Sequence, residues 1–437
     1  MKISSRNTLQ AKARRSRKDR CERCGAADRL QAHHLDQDWC NNDDSNILTL
    51  CRPCHVKEHR KTGGFQSSRG ADLSPQPPEV VREAARWMGR RFEVNVDATN
   101  VAACVGTKEF VASAAWFLRL RDPTRDTVIA PAVAYPTYAM GAQLAGCNVV
   151  EVDESPDGGV DLRSVPHELS RRAVMVWLNS PSNPTGNLTD LEAAASWGRA
   201  RGVPVFSDEC YAEFTWDRPR ASTVLQAGSD GVVAVHSLSK RSNMAGTRVG
   251  FYAGDPEIVG YLSALRQHAG LMVPGPVQAA AVVALEDDEH VVAQRRRYRR
   301  RLERLCSLLC EGGLDARLPA GGFYLWVPVP GWATAADDRD KRSGAWVLAQ
   351  ALAEAAGVLV SPGDLYGEAG SGFVRVAAVQ PDDRIELVGE RLSRSSHPHL
   401  GGQARMRSKA GAKVGCSARS DAESARKASP RHPSDSL

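Results

Sequence analysis

The stretch GVVAVHSLSKRSNMAGTRVG, residues 231–250, decides how the rest of the chain is read. It opens with an apolar run of the length a buried strand needs. Ser237, Ser239 and Lys240 follow at once, and Arg248 comes eight residues after the lysine. Most lysines are solvated surface charges. A lysine at the end of a buried strand, ringed by hydroxyls and followed by glycine and arginine, predicts a site that holds a phosphate beside an amine.

Working outward, residues 77–395 alternate short apolar runs with helical patterns. TVIAPAVAY, NVVEVD, AVMVWLNS, VPVFSDE, VVAVHSLS and RVGFYAG read as strands, while EVVREAARWMGRRF, KEFVASAAWFLRL and DLEAAASWGRARG read as helices. This alternation predicts an α/β fold, a mostly parallel sheet with helices on both faces, over residues 77–285. Beyond a long helix around residues 291–309, the runs GGFYLWVPV, AWVLAQALAEAAG, GVLVSPG and GFVRVAAV predict a smaller C-terminal α/β domain over 286–395.

In such sheets ligands sit beyond the carboxyl ends of the strands, and polar residues collect there. Asn183 follows one strand, Asp208 ends another with Tyr211 three residues on, and Ser237, Ser239 and Lys240 end a third. Gly106, Thr107 and Lys108 open a helix, and Tyr135 follows a strand. Each has a bland explanation alone: a cap, a turn, an exposed charge. Together they make up what a pyridoxal phosphate site needs. The aldehyde requires a lysine amine and the pyridine nitrogen a carboxylate. The phosphate requires a helix N-terminus, hydroxyls and an arginine. The phenolic oxygen requires donors, and the ring an aromatic face.

The ordered set GTKEFV, APAVAYPTYAMGAQLAG, LNSPSNPTG, SDECYAEF and SLSKRSNMAGTRVGF resembles the fold-type I aminotransferases of class I/II, particularly the actinobacterial N-succinyldiaminopimelate aminotransferases. The resemblance implies pyridoxal 5'-phosphate as cofactor. It makes Lys240 the Schiff-base lysine and proton shuttle, and Asp208 the partner of the pyridine nitrogen. Asn183 and Tyr211 would hold the phenolic oxygen, and Tyr135 would stack on the ring. Ser237, Ser239, Arg248 and the backbone amides of Gly106, Thr107 and Lys108 would bind the phosphate. Arg375, in FVRVA, matches the clamp for the substrate α-carboxylate, which its fork geometry suits. The family also carries roughly sixty residues ahead of the helix matching EVVREAARWMGRRF, including an arm, a glycine loop and a tyrosine that reaches the neighbouring subunit. A cysteine-rich region stands there instead, so the substrate pocket and the homodimer contacts are expected to be incomplete.

That region, residues 21–62, contains CERCGAADRLQAHHLDQDWCNNDDSNILTLCRPCHVKEH. Cys21 and Cys24 with Cys51 and Cys54 have the spacing of a four-thiolate structural zinc site. The segment resembles the HNH nucleases, whose ββα hairpin holds a catalytic divalent metal. The resemblance implies His34 as general base, Asn46 as the residue that orients the loop, and His33 with His55 as metal ligands, His59 being a further candidate; DNA would be its partner. The alternative is a zinc-stapled module that cleaves nothing.

Composition narrows the remaining possibilities. The 437 residues, 42% hydrophobic, are enough for more than one core. No apolar run reaches the roughly 20 residues of a membrane span, and no apolar stretch follows the basic start, so a cytoplasmic location is expected. The net charge of +6 sits in two tails, a basic leader at 1–20 and a tail at 396–437 expected to be disordered, with a linker at 63–76; the body between is mildly acidic. The seven cysteines outside the two pairs read mostly as small buried hydrophobes. Three functions remain open. One is a transaminase that moves an amino group from a donor such as glutamate to a keto acid on the route to lysine. Another is a DNA-acting HNH protein with a passenger domain, and the third a fusion with neither activity intact. Chain length and motif count favour the first.

Overall fold

The computed structural model describes residues 18–27, 30–35, 43–51, 53–55, 58, 78–155, 158–216, 221–334 and 342–401. Residues 1–17 of the leader, the expected linker, the tail beyond 401, Cys40, His59 and Cys416 lie outside them. The chain divides into two compact units, residues 1–76 and 77–437.

In the first unit, β1 (Leu30–His34) pairs antiparallel with β2 (Ile47–Cys51), in register from Leu30 opposite Cys51 to His34 opposite Ile47. Helical backbone follows at residues 53–55. The core consists of Cys21, Leu50 and Cys51, with Leu30, Leu48 and Cys54 packed around it. A core this small stabilises little without a cross-link.

The second unit is built on seven strands. They are β3 (Val101–Cys104), β4 (Thr127–Pro131), β5 (Asn148–Val152), β6 (Ala173–Asn179), β7 (Val205–Asp208), β8 (Val232–Ser237) and β9 (Gly250–Gly254), in the order β3-β9-β8-β7-β6-β4-β5. Pairing from β5 through β8 is parallel, and β9 alone runs against both its neighbours. Every residue of β6, β7 and β8 is buried, which is why these strands read as unbroken apolar runs rather than alternating ones. On one face Trp87, Phe92, Trp197 and Leu285 come from helices Glu79–Phe92, Leu191–Arg201 and Gly275–Glu286. On the other, Phe110, Phe117, Tyr138 and Leu262 come from helices Thr107–Arg121, Thr137–Leu144 and Pro256–His268. Strand β3 was not among the expected strands. Its four small residues carry no alternation, and it is a strand through its pairing with β9.

A second sheet has the order β10 (Tyr324–Pro328), β12 (Phe373–Ala377), β11 (Ser361–Pro362), all antiparallel. Helices Glu289–Glu311, Gly344–Ala356 and Asp382–Arg394 supply the rest of its core. GVLVSPG contributes only the two residues of β11, and Leu359 is 92% exposed. The expected disorder from residue 396 is corrected up to 401. Leu400 is fully buried, the Gly401 amide donates to the Gly312 carbonyl, and His399 stacks on Trp332. One leucine between polar neighbours escapes an argument from average composition. Among the described residues no helix is long and apolar enough to cross a membrane.

Candidate functional site

Strands β6, β7 and β8 end side by side, and their carboxyl ends open into a cavity of about 500 Å³. The sequence-predicted residues Thr107, Lys108, Tyr135, Asn183, Asp208, Tyr211, Ser237, Ser239, Lys240, Arg248 and Arg375 all line it; Gly106 does not.

Asp208 is the last residue of β7 and is buried. Its Oδ2 accepts from the Tyr138 hydroxyl at 2.9 Å and its Oδ1 from the Cys210 amide at 3.1 Å. Burial pushes its carboxyl up, against these hydrogen bonds and the field of Lys240. No cation forms an ion pair with it among the described residues. Lys240 stands on the short helix Leu238–Arg241 that continues β8, its Nζ 6.0 Å from the centre of the Tyr211 ring. Burial lowers its amine, and Arg375 and Lys108 press in the same direction. A lowered amine is a better nucleophile toward a carbonyl at neutral pH.

At the opposite end, helix Thr107–Arg121 begins at Gly106, whose φ of +75° suits glycine. A Cβ at this position would lie 2.2 Å from Arg248 Nη2. Arg248, itself at φ +56°, is thus seated against bare backbone beside a helix N-terminus, an arrangement for an anion. The Gly106 amide is already donated to the Cys104 carbonyl at 2.8 Å. The amides open to an anion therefore start at Thr107, and Gly106 contributes its missing side chain. This corrects the expectation for Gly106. Ser237 Oγ accepts from the Ser239 amide at 3.1 Å, and Thr107 Oγ1 accepts from Cys210 Sγ at 3.4 Å.

On the third side, Arg375 Nη1 donates to Asn183 Oδ1 at 2.7 Å, which leaves the Asn183 amide hydrogens for another acceptor. The Arg375 guanidinium lies 4.2 Å from the Tyr324 ring centre and 5.0 Å from that of Tyr366, and its buried Nε has no hydrogen-bond partner among the described residues. The hydroxyls of Tyr211 and Tyr324 are 2.9 Å apart. Lys108 Nζ sits 5.7 Å from the Tyr135 ring centre.

Four contributors escaped the sequence reading. Tyr138 holds Asp208; Asn179 donates to the Asp208 carbonyl at 2.8 Å and accepts the Asn183 amide at 2.7 Å. Cys210 and Tyr324 line the cavity. Asn179, Tyr138 and Cys210 all lie inside the quoted motifs, so proximity to them was the available signal.

The donor set fits pyridoxal phosphate. A buried carboxylate lacks a cation, an arginine and a helix N-terminus form a cradle that a single Cβ would fill, and a half-buried amine stands between them.

In the first unit the sulfurs of Cys21, Cys24, Cys51 and Cys54 lie within 4.8 Å of one another. Tetrahedral zinc at about 2.3 Å from each sulfur places them about 3.8 Å apart, and Cys24 Sγ and Cys51 Sγ are separated by 3.5 Å. Burial opposes ionisation of Cys21, yet the amides of Cys51, Arg23 and Cys24 bring its thiol down to about 6. Cys54, hydrogen-bonded to Cys24 and Cys51, is pushed up to about 12. His33 is buried, its ring edge-to-face with His55 at 5.1 Å between centres. His34 is half-buried at the end of β1, and Asn46 is buried just before β2. Among the described residues the four cysteines are the one group of three or more such ligands.

The family described as aminotransferase class I and II matches residues 41–392. The chain is 42% identical over 325 residues to 4-dedimethylamino-4-oxo-anhydrotetracycline transaminase OxyQ of Streptomyces rimosus, covering 72% of this chain and 83% of that protein. It is 32% identical over 318 residues to an LL-diaminopimelate aminotransferase of Dehalococcoides mccartyi, covering 70% and 78%. Among solved structures, a probable N-succinyldiaminopimelate aminotransferase from Thermus thermophilus superposes with a TM-score of 0.64 at 30% identity, covering 77% of this chain and 90% of that one.

Proposed function

This chain belongs to the class I and II aminotransferases, and from that membership we propose that Lys240 and Asp208, sharing one cavity with Arg248 and Arg375, carry a transamination on the diaminopimelate route with glutamate as donor. The observation that carries this is the shared cavity itself: amine, lone buried carboxylate, anion cradle and guanidinium all face one space.

Bound there, pyridoxal phosphate supplies an electron-withdrawing ring that stabilises the charge left when the substrate loses its α-proton. The residues divide the remaining work. Asp208 keeps the ring nitrogen protonated, and the cation it gains there offsets its burial. Thr107, Lys108, Ser237, Ser239 and Arg248 hold the phosphate. Asn183 and Tyr211 donate to the phenolic oxygen, and Tyr135 covers the ring. Arg375 grips the α-carboxylate, and Lys240 Nζ takes and returns the α-proton. Both the N-succinylated and the unblocked diaminopimelate-type substrates fit this scheme, since relatives of each kind match the chain.

The test is a half-reaction of the cofactor-loaded protein with glutamate, followed by the change in cofactor absorbance. Lys240→Ala is expected to slow it by at least ~10³-fold while the cofactor still binds. A full rate in that variant would overturn the assignment.

The four-sulfur cluster and the facing His33 and His55 rings favour a second reading for residues 21–62. We propose a zinc-stapled ββα module of HNH type, with zinc on Cys21, Cys24, Cys51 and Cys54. His33 and His55 would hold a divalent ion, His34 would act as base and Asn46 as loop anchor, with DNA as substrate. Magnesium-dependent nicking of plasmid DNA, lost in His34→Ala, is the expected result; no nicking by the unaltered protein overturns the nuclease assignment.

A further inference from the structure

Beside the cofactor cavity lies a second one of about 620 Å³. Three elements line both, each with residues two apart: Tyr324 and Trp326 on β10, Arg375 and Phe373 on β12, and Asn183 and Thr185 in the turn after β6. Residues two apart on a strand share a face, and the register sets Trp326 directly opposite Arg375. The second cavity therefore continues along the same sheet face, away from Arg375. Its wall there is apolar, the Trp326 and Phe373 rings stacked at 5.1 Å and 10°.

Its far side is acidic. The Glu154 carboxylate accepts from Thr185 Oγ1 at 2.9 Å and from Asn187 Nδ2 at 2.7 Å. Among the described residues no lysine or arginine forms an ion pair with it. Arg317, on the same cavity, pairs with Asp315 at 2.9 Å. Burial pushes the Glu154 carboxyl up, and the two hydrogen bonds do not offset it. One turn ties the two charged groups together: Asn183 holds Arg375, and Thr185, two residues on, holds Glu154.

We propose that this second cavity receives the distal end of the amino-acid substrate, and that Glu154 selects a distal ammonium there while Arg375 holds the α-carboxylate. The inference rests on the transaminase reading and narrows it. An unblocked diamino acid places its cation against Glu154, whereas an N-succinyl group would bring a carboxylate toward Glu154 and Asp153, a like-charge contact. The stacked aromatic wall carries the methylenes between the two ends.

Two unreactive probes test it by calorimetry on the cofactor-loaded protein: δ-trimethylammoniovalerate and adipate, which share a carboxylate and four methylenes and differ in the distal group. The cationic probe is expected to bind about tenfold more tightly, and Glu154→Gln to erase that preference while adipate binds the variant at least as well as before, which also shows that the variant is folded. Equal or tighter binding of adipate by the unaltered protein overturns the inference, as does a preference that survives in Glu154→Gln. Neither measurement requires amino transfer, so a failed glutamate half-reaction would count against the transaminase reading alone.

Discussion

The Tyr138 hydroxyl donates to Oδ2 of Asp208 across 2.9 Å, and both side chains are buried. A carboxylate here has to stay ionised against a desolvation that favours its neutral form. The tyrosine is one of the donors that help it do so, beside the amide and thiol of Cys210. Tyr138→Phe keeps the ring packed on Trp177 and removes only the donor. Cofactor affinity, read by absorbance titration, is expected to weaken about tenfold, with the loss largest at low pH, where Asp208 protonates most readily. An unchanged affinity would mean that Cys210 suffices without it.

Gly106 and Arg248 yield a test specific to the phosphate. Gly106→Ala puts a methyl 2.2 Å from Arg248 Nη2, at a φ of +75° that alanine adopts with strain. Arg248 must move. Binding of pyridoxal phosphate is expected to weaken by at least about tenfold, whereas binding of pyridoxal, which has no phosphate, stays as before. Equal losses for both ligands would show a general distortion and remove Arg248 from the anion site.

How far the sequence could be read depends on where each residue stands in the fold. Lys240, Asp208 and Asn183 were legible because each closes or follows an apolar run that can only be a buried strand, so their position at the sheet's carboxyl edge follows from local pattern. Tyr138 was not, because its role depends on a partner 70 residues away reached across the sheet. Tyr324 meets Tyr211 from a different sheet. Strand β3 lacks a pattern of its own, and Leu400 is a single apolar residue in polar company. Glu154 follows a strand at the sheet edge and looks like any exposed acid until Thr185 and Asn187 close over it.

The cysteine cluster predicts metal content in the full chain. With an apolar cluster as small as that of Cys21, Leu50 and Cys51, the first unit depends on its cross-link. About one zinc per chain is expected by elemental analysis. Cys51→Ser is expected to lose it and to open this unit to protease, while the cofactor titration of the second unit is unaffected. A chain purified without zinc that resists protease there would rule out a structural metal.

The pair behind the active strands sets a pH dependence. Glu209 and His236 follow and precede Asp208 and Ser237, are fully buried, and approach within 3.3 Å, Glu209 Oε2 to His236 Nε2. Burial raises the Glu209 carboxyl to about 8 and lowers His236 to about 3. Each is held neutral, His236 among the rings of Trp87, Phe92 and Phe251 and Glu209 by its own burial. The two act on stability with opposite signs. Between about pH 3 and 6.5 the unfolded histidine binds the extra proton, so its contribution to stability grows as pH rises. For Glu209 the folded form binds the extra proton from its ordinary value of 4.5 up to about 8, so its contribution falls as pH rises through that window. From about 6.5 to 8 only the glutamate of this pair titrates differently in the two states, and melts of the second unit are expected to lose stability across that interval. Glu209→Gln keeps the shape and the acceptor for the Val224 amide, at 2.7 Å in the native chain, but has no proton to lose. The slope is therefore expected to flatten in the variant at fixed ionic strength, and a slope that persists unchanged would show that Glu209 is already ionised at pH 6.5.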